Sequence, residues 1–381
     1  MKQEKNYILI SGFGIHDSNR GTAALGYGSI SFLEKYHNLT PDTKIVNIRY
    51  VKKIWKKKYR SQIEQVKSGD KKWNVHTIFV LTIEKWLYEK FNILLPFTPF
   101  GKIIKHLNYV AAINGGDGFS DIYSTATFHS RLDETLLAIK KHIPTIQLPQ
   151  TMGPFNENSN YIIAEQILKS AKYVYVRDDK FVTELEKMGV KYKIENDLSF
   201  YMQPETWDFK PEPHAIGLNI SGLAYSNRFR TLSGQFDTYP YLCTKIVEFF
   251  QSINRPIYLI SHSYNYQNPE EANDDMVAAR DFYSKLKNKQ GVHLIDKDLN
   301  SPQTKYLISC MSFFIGTRMH ANFAAIFTKV PLFGLAYSYK FEGAFNKNGI
   351  YNQTAMINNI SKQEAKKIVE KISKVYQKYK S

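Results

Sequence analysis

Two cysteines in 381 residues, Cys243 and Cys310, are too few and too far apart for a disulfide framework or a cysteine-based metal site. No apolar run reaches the ~18 residues that a membrane-crossing helix needs. The chain runs from Met1 into the strand-like Tyr7-Ile8-Leu9-Ile10 with no signal-peptide pattern, so a reducing, cytoplasmic setting is expected. HxH, HExxH and clustered acidic spacings are missing, and no metal is expected. Gly115-Gly116-Asp117-Gly118 fits neither GxGxxG nor the P-loop fingerprint, and Gly12-Phe13-Gly14 lacks a third glycine at the right spacing. Nucleic-acid modules are absent too, so no nucleic acid is expected as a partner.

What is present is a core-forming composition, 43% hydrophobic and 23% charged, with a net charge of +16. The charge is uneven. From Lys44 to Lys72 eleven Lys and Arg face only Glu64 and Asp70, which places more than half of the excess there. Such a patch calls for an anionic partner.

Strand-like and helix-like segments alternate. A strand at 7–13, a helix at 21–36 and a strand at 43–50 begin an α/β unit. Residues 51–106 interrupt it. The stretch 52–60 is basic, and 78–100 is apolar and aromatic, with Glu84, Lys85, Glu89 and Lys90 spaced as on one helical face. This insert reads either as a pair of helices packed on the sheet or as a surface for anionic lipid. The alternation resumes with strands at 109–114, 144–148, 172–176 and 192–196. Residues 202–213 are Pro-rich and polar and read as a linker. Strands at 214–220, 256–261, 291–295, 312–315 and 331–335 mark a second run. The expected architecture is α/β, with two Rossmann-like parallel-sheet domains facing a cleft. They span 1–203, with the insert at 51–106, and 214–360, and a terminal helix at 361–381 is expected to pack back on the first domain.

Ligands of such sheets sit beyond the carboxyl ends of the strands. Four strand ends carry turn-forming or charged residues: Asn114–Asp117, Gln150–Pro154, Arg177–Asp179 and Gly316–His320. Gly115 and Gly116 let a ligand approach the backbone, and Asp117 reads as a turn carboxylate or as a base. Gly316-Thr317-Arg318-Met319-His320 opens a small-residue helix, where backbone N–H groups, Arg318 and His320 suit an anion. The competing reading is an arginine paired across the domain and a histidine bound to backbone. Arg177 offers a second guanidinium, with local pairing to Asp178 or Asp179 as the rival reading. His262 ends another strand and is expected to line the same cleft. Two arginines and a histidine suit a small ligand carrying phosphate and carboxylate.

Taken in order, Gly115-Gly116-Asp117, Gln150-Thr151-Met152-Gly153-Pro154, Arg177-Asp178 and Gly316-Thr317-Arg318-Met319-His320, followed by Ala324 and Pro331, resemble the polysaccharide pyruvyl transferase family over about residues 8–345. The resemblance implies a glycosyltransferase-B-like fold. It implies transfer of the enolpyruvyl group of phosphoenolpyruvate onto two hydroxyls of a sugar, with a cyclic ketal formed, phosphate released and no cofactor. It also implies that Arg177, Arg318 and His320 bind the donor, and it matches Asp117 and Asp197 to acidic residues of the family, which more often has Gly at the position of Asn196. We expect Gly316 and Thr317 to join the donor site and Asp117 and His320 to catalyse. Asn114, Gly115, Gly116, Gln150 and His262 are expected to bind the acceptor or line the cleft.

The expected acceptor is a sugar of a surface polysaccharide or of its precursor on a lipid diphosphate. An anionic membrane surface is expected against Lys44–Phe100, at the cytoplasmic face. No oligomeric state is fixed. Two rival readings are a sugar-nucleotide-dependent glycosyltransferase of the same architecture and a noncatalytic carbohydrate-binding component of a polysaccharide assembly complex.

Overall fold

A computed structural model describes residues 7–52, 61–338 and 340–379. Most of the basic stretch 52–60 therefore lies outside the described residues. Backbone contacts divide the chain into two units, Met1–Ile15 with Leu25–Gln203, and His16–Ala24 with Pro204–Ser381. The short segment 16–24 thus groups with the second unit, which the linear reading of the sequence had no means to detect.

In the first unit, apolar runs such as Ile8-Leu9-Ile10 and Ile45-Val46 are wholly buried, as strands covered on both faces must be. The elements are β1 (Tyr7–Ser11), α1 (Arg20–His37), β2 (Lys44–Val51), β3 (Gln62–Ser68), β4 (Lys71–Leu81), α2 (Thr82–Phe91), α3 (Pro99–Ile104) and β5 (Leu107–Ala112). They continue with α4 (Thr125–Ser130), α5 (Asp133–Lys140), β6 (Thr145–Gln150), α6 (Asn158–Ser170), β7 (Tyr173–Val176), α7 (Val182–Lys187), β8 (Lys193–Ile194) and α8 (Leu198–Tyr201). The sheet order is β3-β4-β2-β1-β5-β6-β7-β8, parallel except for the β3–β4 pair. The chain winds outward from β1 on one side and from β5 on the other, so the topological switch lies between those two strands.

The insert differs from expectation. Residues 78–81 finish a long strand, and helix begins only at Thr82. Trp73, Val75, Ile78 and Val80 are buried along β4, which pairs with β2 from Ile45 to Val51. Strand pairing therefore claims an apolar stretch that periodicity alone left ambiguous. Farther on, Glu84 and Tyr88 of α2 turn inward, four residues apart on one helical face.

The second unit contains β9 (Ile216–Asn219), α9 (Gly222–Ser226), α10 (Tyr239–Ser252), β10 (Ile257–Leu259), α11 (Asp275–Lys285), β11 (Val292–Leu294) and α12 (Ser301–Ser309). It ends with β12 (Phe313–Gly316), α13 (Met319–Phe327), β13 (Leu332–Ala336), α14 (Lys340–Lys347), β14 (Thr354–Met356) and α15 (Lys362–Lys378). Its order is β11-β10-β9-β12-β13-β14, all parallel, with the switch between β9 and β12. The terminal helix is a correction to the expected arrangement. Ala365, Ile368, Ile372, Val375 and Tyr376 of α15 belong to the second unit's core, and the Tyr376 ring meets Phe250 and Phe313 edge-on at 5.3 and 5.4 Å. The apolar stripe of α15 is consumed there. Among the described residues no helix is long and apolar enough to cross a membrane.

Candidate active site

The expected residues fall into two groups at strand ends, one in each unit. In the first unit the loop after β5 turns through Gly115 and Gly116, at φ of +72° and +85°. At Gly116 a side chain would also meet the Arg177 guanidinium, since a Cβ there would lie 2.8 Å from Nη1. Gln150 laces the strand ends beneath this loop. Its Oε1 accepts from the Asn114 N–H at 2.9 Å and its Nε2 donates to the Ala112 carbonyl at 3.2 Å. Asn114 Nδ2 donates to the Arg131 carbonyl, and Arg131 Nη1 donates back to the Asn114 carbonyl at 3.1 Å. Gln150 is spent on backbone at both ends, and Asn114 through its Nδ2, while the buried Asn114 Oδ1 has no hydrogen bond among the described residues; both side chains position the loop.

Asp117 is half-buried on that loop, and Tyr123 donates to its Oδ2 at 3.0 Å. Burial and the neighbouring Asp117 push the exposed-edge Tyr123 phenol up to about 12, so it stays a donor at neutral pH. Arg177 lies at the end of β7, where Nη1 contacts Asp197 Oδ2 at 2.7 Å and Nε donates to Thr151 Oγ1 at 3.0 Å. Burial disfavours its charge, but Asp197, Asp117 and Asp178 outweigh that and hold it cationic. The group offers a fixed guanidinium amid carboxylates, a setting that suits hydroxyls and their protons.

In the second unit Asn219 ends β9, and its Oδ1 accepts from the N–H groups of Thr317 and Arg318 at 3.3 and 2.9 Å. That grip sets the start of α13, with Arg318 at its N-cap and His320 in its first turn. Thr317 is fully buried, and its hydroxyl meets Tyr239 at 2.8 Å, so it too supports the backbone. Gly316 admits the carboxamide of Asn322, whose Nδ2 donates to the Gly316 carbonyl at 3.0 Å.

Arg318 is held by Asp275, which accepts from Nε at 3.0 Å and Nη2 at 2.7 Å, while Nη2 also reaches the Asn273 carbonyl at 2.7 Å. Its Nη1 edge has no hydrogen bond among the described residues. His262 belongs to this group as well. Burial, then the charges of His320, Arg318 and Arg20, hold its imidazole well below the usual range, so it is neutral at pH 7.

Asp275, Asn219 and Gly21 are the residues that sequence reasoning missed. Gly21 lies against the His320 ring, and a Cβ there would come within 2.5 Å of Nδ1. Gly21→Ala is therefore expected to displace the imidazole and lower kcat by about 10²-fold, the typical cost of an ångström-scale misplacement, with little change in the melting temperature. Steady-state kinetics beside a thermal melt check this, and an unchanged kcat would remove His320 from the chemistry.

Arg177 and Asp117 thus lie in the first unit, and Arg318, His320 and His262 in the second. Among the described residues no group of three His, Cys, Asp or Glu is placed to hold a metal ion.

A family model described as polysaccharide pyruvyl transferase matches residues 19–339. No curated protein matches the chain by sequence. Among solved structures, the UDP-GlcNAc 2-epimerase of Neisseria meningitidis, bound to UDP-GlcNAc, is similar at 11% identity and a TM-score of 0.50, covering 98% of this chain and 93% of its own. A Listeria monocytogenes protein assigned as a UDP-N-acetylglucosamine 2-epimerase is similar at 11% identity and a TM-score of 0.51, with 99% and 90% covered. These likenesses show a fold of the glycosyltransferase-B type with two Rossmann-like units.

Proposed function

The chain belongs to the polysaccharide pyruvyl transferase family, and from that premise we propose how its residues share the reaction. The activity is phosphoenolpyruvate-dependent pyruvyl transfer onto a sugar or polysaccharide. Its chemistry sets four demands. The donor's carboxylate and phosphate need cations. C3 gains a proton as a sugar hydroxyl attacks C2 and loses its own. Phosphate then leaves C2. A second hydroxyl finally closes the ketal on the same carbon and gives up its proton.

We assign Arg318 and Arg177 to the donor anions, with Gly316 and Thr317 as the backbone support that fixes Arg318. His320, at the start of α13, steadies the phosphate or delivers the proton to C3. His262, expected to bind the acceptor or line the cleft, is assigned to this donor group, because its backbone N–H is held by the same Asp275 that holds Arg318 and its imidazole feels the charges of His320 and Arg318. Asp117 takes the hydroxyl proton, and Tyr123 orients its carboxylate. Gly115 and Gly116 give the acceptor access to this loop, which Asn114 and Gln150 hold. The sugar is carried on a lipid diphosphate, and the enzyme works at the cytoplasmic face of a membrane.

The observation that supports the reading best is the Asn219 grip on Thr317 and Arg318, which keeps a guanidinium and a helix N-terminus together at the switch point. The test supplies phosphoenolpyruvate, UDP-sugars or GDP-sugars with free, arylated and lipid-linked galactose, glucose and N-acetylhexosamine. Phosphate release is expected with phosphoenolpyruvate alone, and the acceptor should gain the mass of one pyruvate less one water. Nucleotide release without ketal formation would make the chain a glycosyltransferase instead.

A further inference from the structure

Fifteen large apolar side chains are exposed among the described residues, and five of them fall between Ile83 and Phe97. The cause is local. Helix α2 commits Glu84 and Tyr88 to the interior, with Tyr88 Oη donating to the Leu137 carbonyl at 3.2 Å. Its opposite face carries Ile83, Trp86 and Lys90, at the i, i+3, i+7 spacing of one helical stripe. Asn92 ends the helix in the left-handed region at φ 56°, and the loop beyond it presents Ile93 and Phe97, the latter 72% exposed. The Phe91 ring meets Trp86 edge-on at 5.4 Å, so these two adjoin. An exposed aromatic pair with three more exposed apolar side chains within fifteen residues marks an interaction surface.

The exposed charges around it are mostly positive. Glu84 is buried, and Lys85 pairs with both Asp133 and Glu89. Lys90 is exposed on the outer stripe. Lys140 donates to the Glu89 carbonyl at 3.2 Å, and the Lys141 ammonium lies 5.4 Å from the Tyr88 ring. Lys141 faces the buried Tyr88, so it is Lys90 and Lys140 that flank the exposed face of α2, and the one exposed carboxylate, Glu89, lies 3.5 Å from Lys85. Tryptophan and phenylalanine beside lysine are the residues that settle at the headgroup level of a bilayer. A second copy of this chain is the poorer occupant, since two-fold pairing would set the lysine rim against itself.

We propose that the outer face of α2 and the loop after it dock on an anionic lipid surface, with Trp86, Phe91 and Phe97 entering the headgroup layer and Lys90 and Lys140 meeting lipid phosphates. This rests on the reading that the acceptor is carried by a lipid. It moves the membrane contact from the whole basic insert to one helix and one loop.

The test is co-sedimentation of the full chain with vesicles of phosphatidylglycerol and phosphatidylcholine, against vesicles of phosphatidylcholine alone. The parent is expected to bind the anionic vesicles and to lose binding as salt rises. W86S/F91S/F97S should bind at least about tenfold more weakly, and K90E/K140E likewise, at roughly 1 kcal/mol per removed lysine contact and more for reversal. The triple variant should transfer pyruvate to a water-soluble acceptor at the parent rate. Equal binding by the triple variant, or a parent dimer that this variant splits, would overturn the proposal. Binding is scored without phosphoenolpyruvate and transfer without vesicles, so failure of the reaction reading is not mistaken for failure of the docking surface.

Discussion

Asp275→Ala should unfold the second unit under conditions that the parent chain tolerates. The Asp275 carboxylate is wholly buried and accepts six hydrogen bonds. Oδ1 takes the Gly222 N–H at 2.8 Å and two from Arg318, and Oδ2 takes Asn219 Nδ2 at 3.2 Å and the N–H groups of His262 and Ser263 at 3.1 and 3.0 Å. It therefore ties the ends of β9 and β10 and the start of α9 to the arginine that follows β12. Truncation leaves a guanidinium buried without its counter-charge, at about 3–5 kcal/mol. Each stranded donor adds about 1–3 kcal/mol, and these terms are not additive. Against a typical total of about 5–15 kcal/mol, that is enough to lose the fold.

Urea unfolding should show the loss directly, and Asp275→Asn, which keeps the oxygen and drops the charge, should fall between. A second comparison separates stability from chemistry. Asp275→Leu combined with Arg318→Met should regain part of the lost stability, because the buried charge goes with its partner, while pyruvyl transfer stays absent. An Asp275→Ala protein that melts with the parent would mean that the carboxylate network carries little.

The strand ends were legible because each marks a change of chemistry, from an apolar run to Gly, Pro or charge. That is how Asn114–Asp117, Arg177 and Gly316–His320 could be picked out, and the structure sets Asn114–Asp117 and Gly316–His320 beside the two topological switches and Arg177 at the end of β7. Asp275 was not legible. It sits in the sequence Glu270-Glu271-Ala272-Asn273-Asp274-Asp275, which reads as a solvated acidic stretch, and its partner Arg318 is 43 residues away. Only the crossing of β10, α11 and β12 makes that carboxylate a buried counter-ion. Gly21 was hidden for the same reason, since its meeting with His320 depends on where residues 16–24 pack. The β3–β4 pair was missed because β3, Gln62-Ile63-Glu64-Gln65-Val66-Lys67-Ser68, carries only two apolar residues, one of them exposed. α15 was seen as amphipathic, but a stripe of apolar residues does not say which core it fills.

Arg177 gives the second large effect, and its two substitutions should part company. In Arg177→Ala the Asp197 carboxylate, buried and also accepting from the Ser199 N–H at 2.8 Å, loses its cation. The first unit should be destabilised by about 3–5 kcal/mol. Transfer should fall by about 10²–10³-fold, the usual cost of removing one fixed donor from a charge-developing transition state. Arg177→Lys keeps a point charge near Asp197 but not the fork that also reaches Thr151, so folding should largely survive. The telling quantity is which Michaelis constant moves. With Arg177 on the donor, the lysine variant should raise KM for phosphoenolpyruvate about tenfold, the size of one lost charge-assisted hydrogen bond, and leave KM for the sugar unchanged. The opposite pattern, a raised sugar KM with an unmoved donor KM, would make Arg177 the local counter-ion of Asp117, Asp178 and Asp197. The donor's charge would then have to be met by Arg318 and His320.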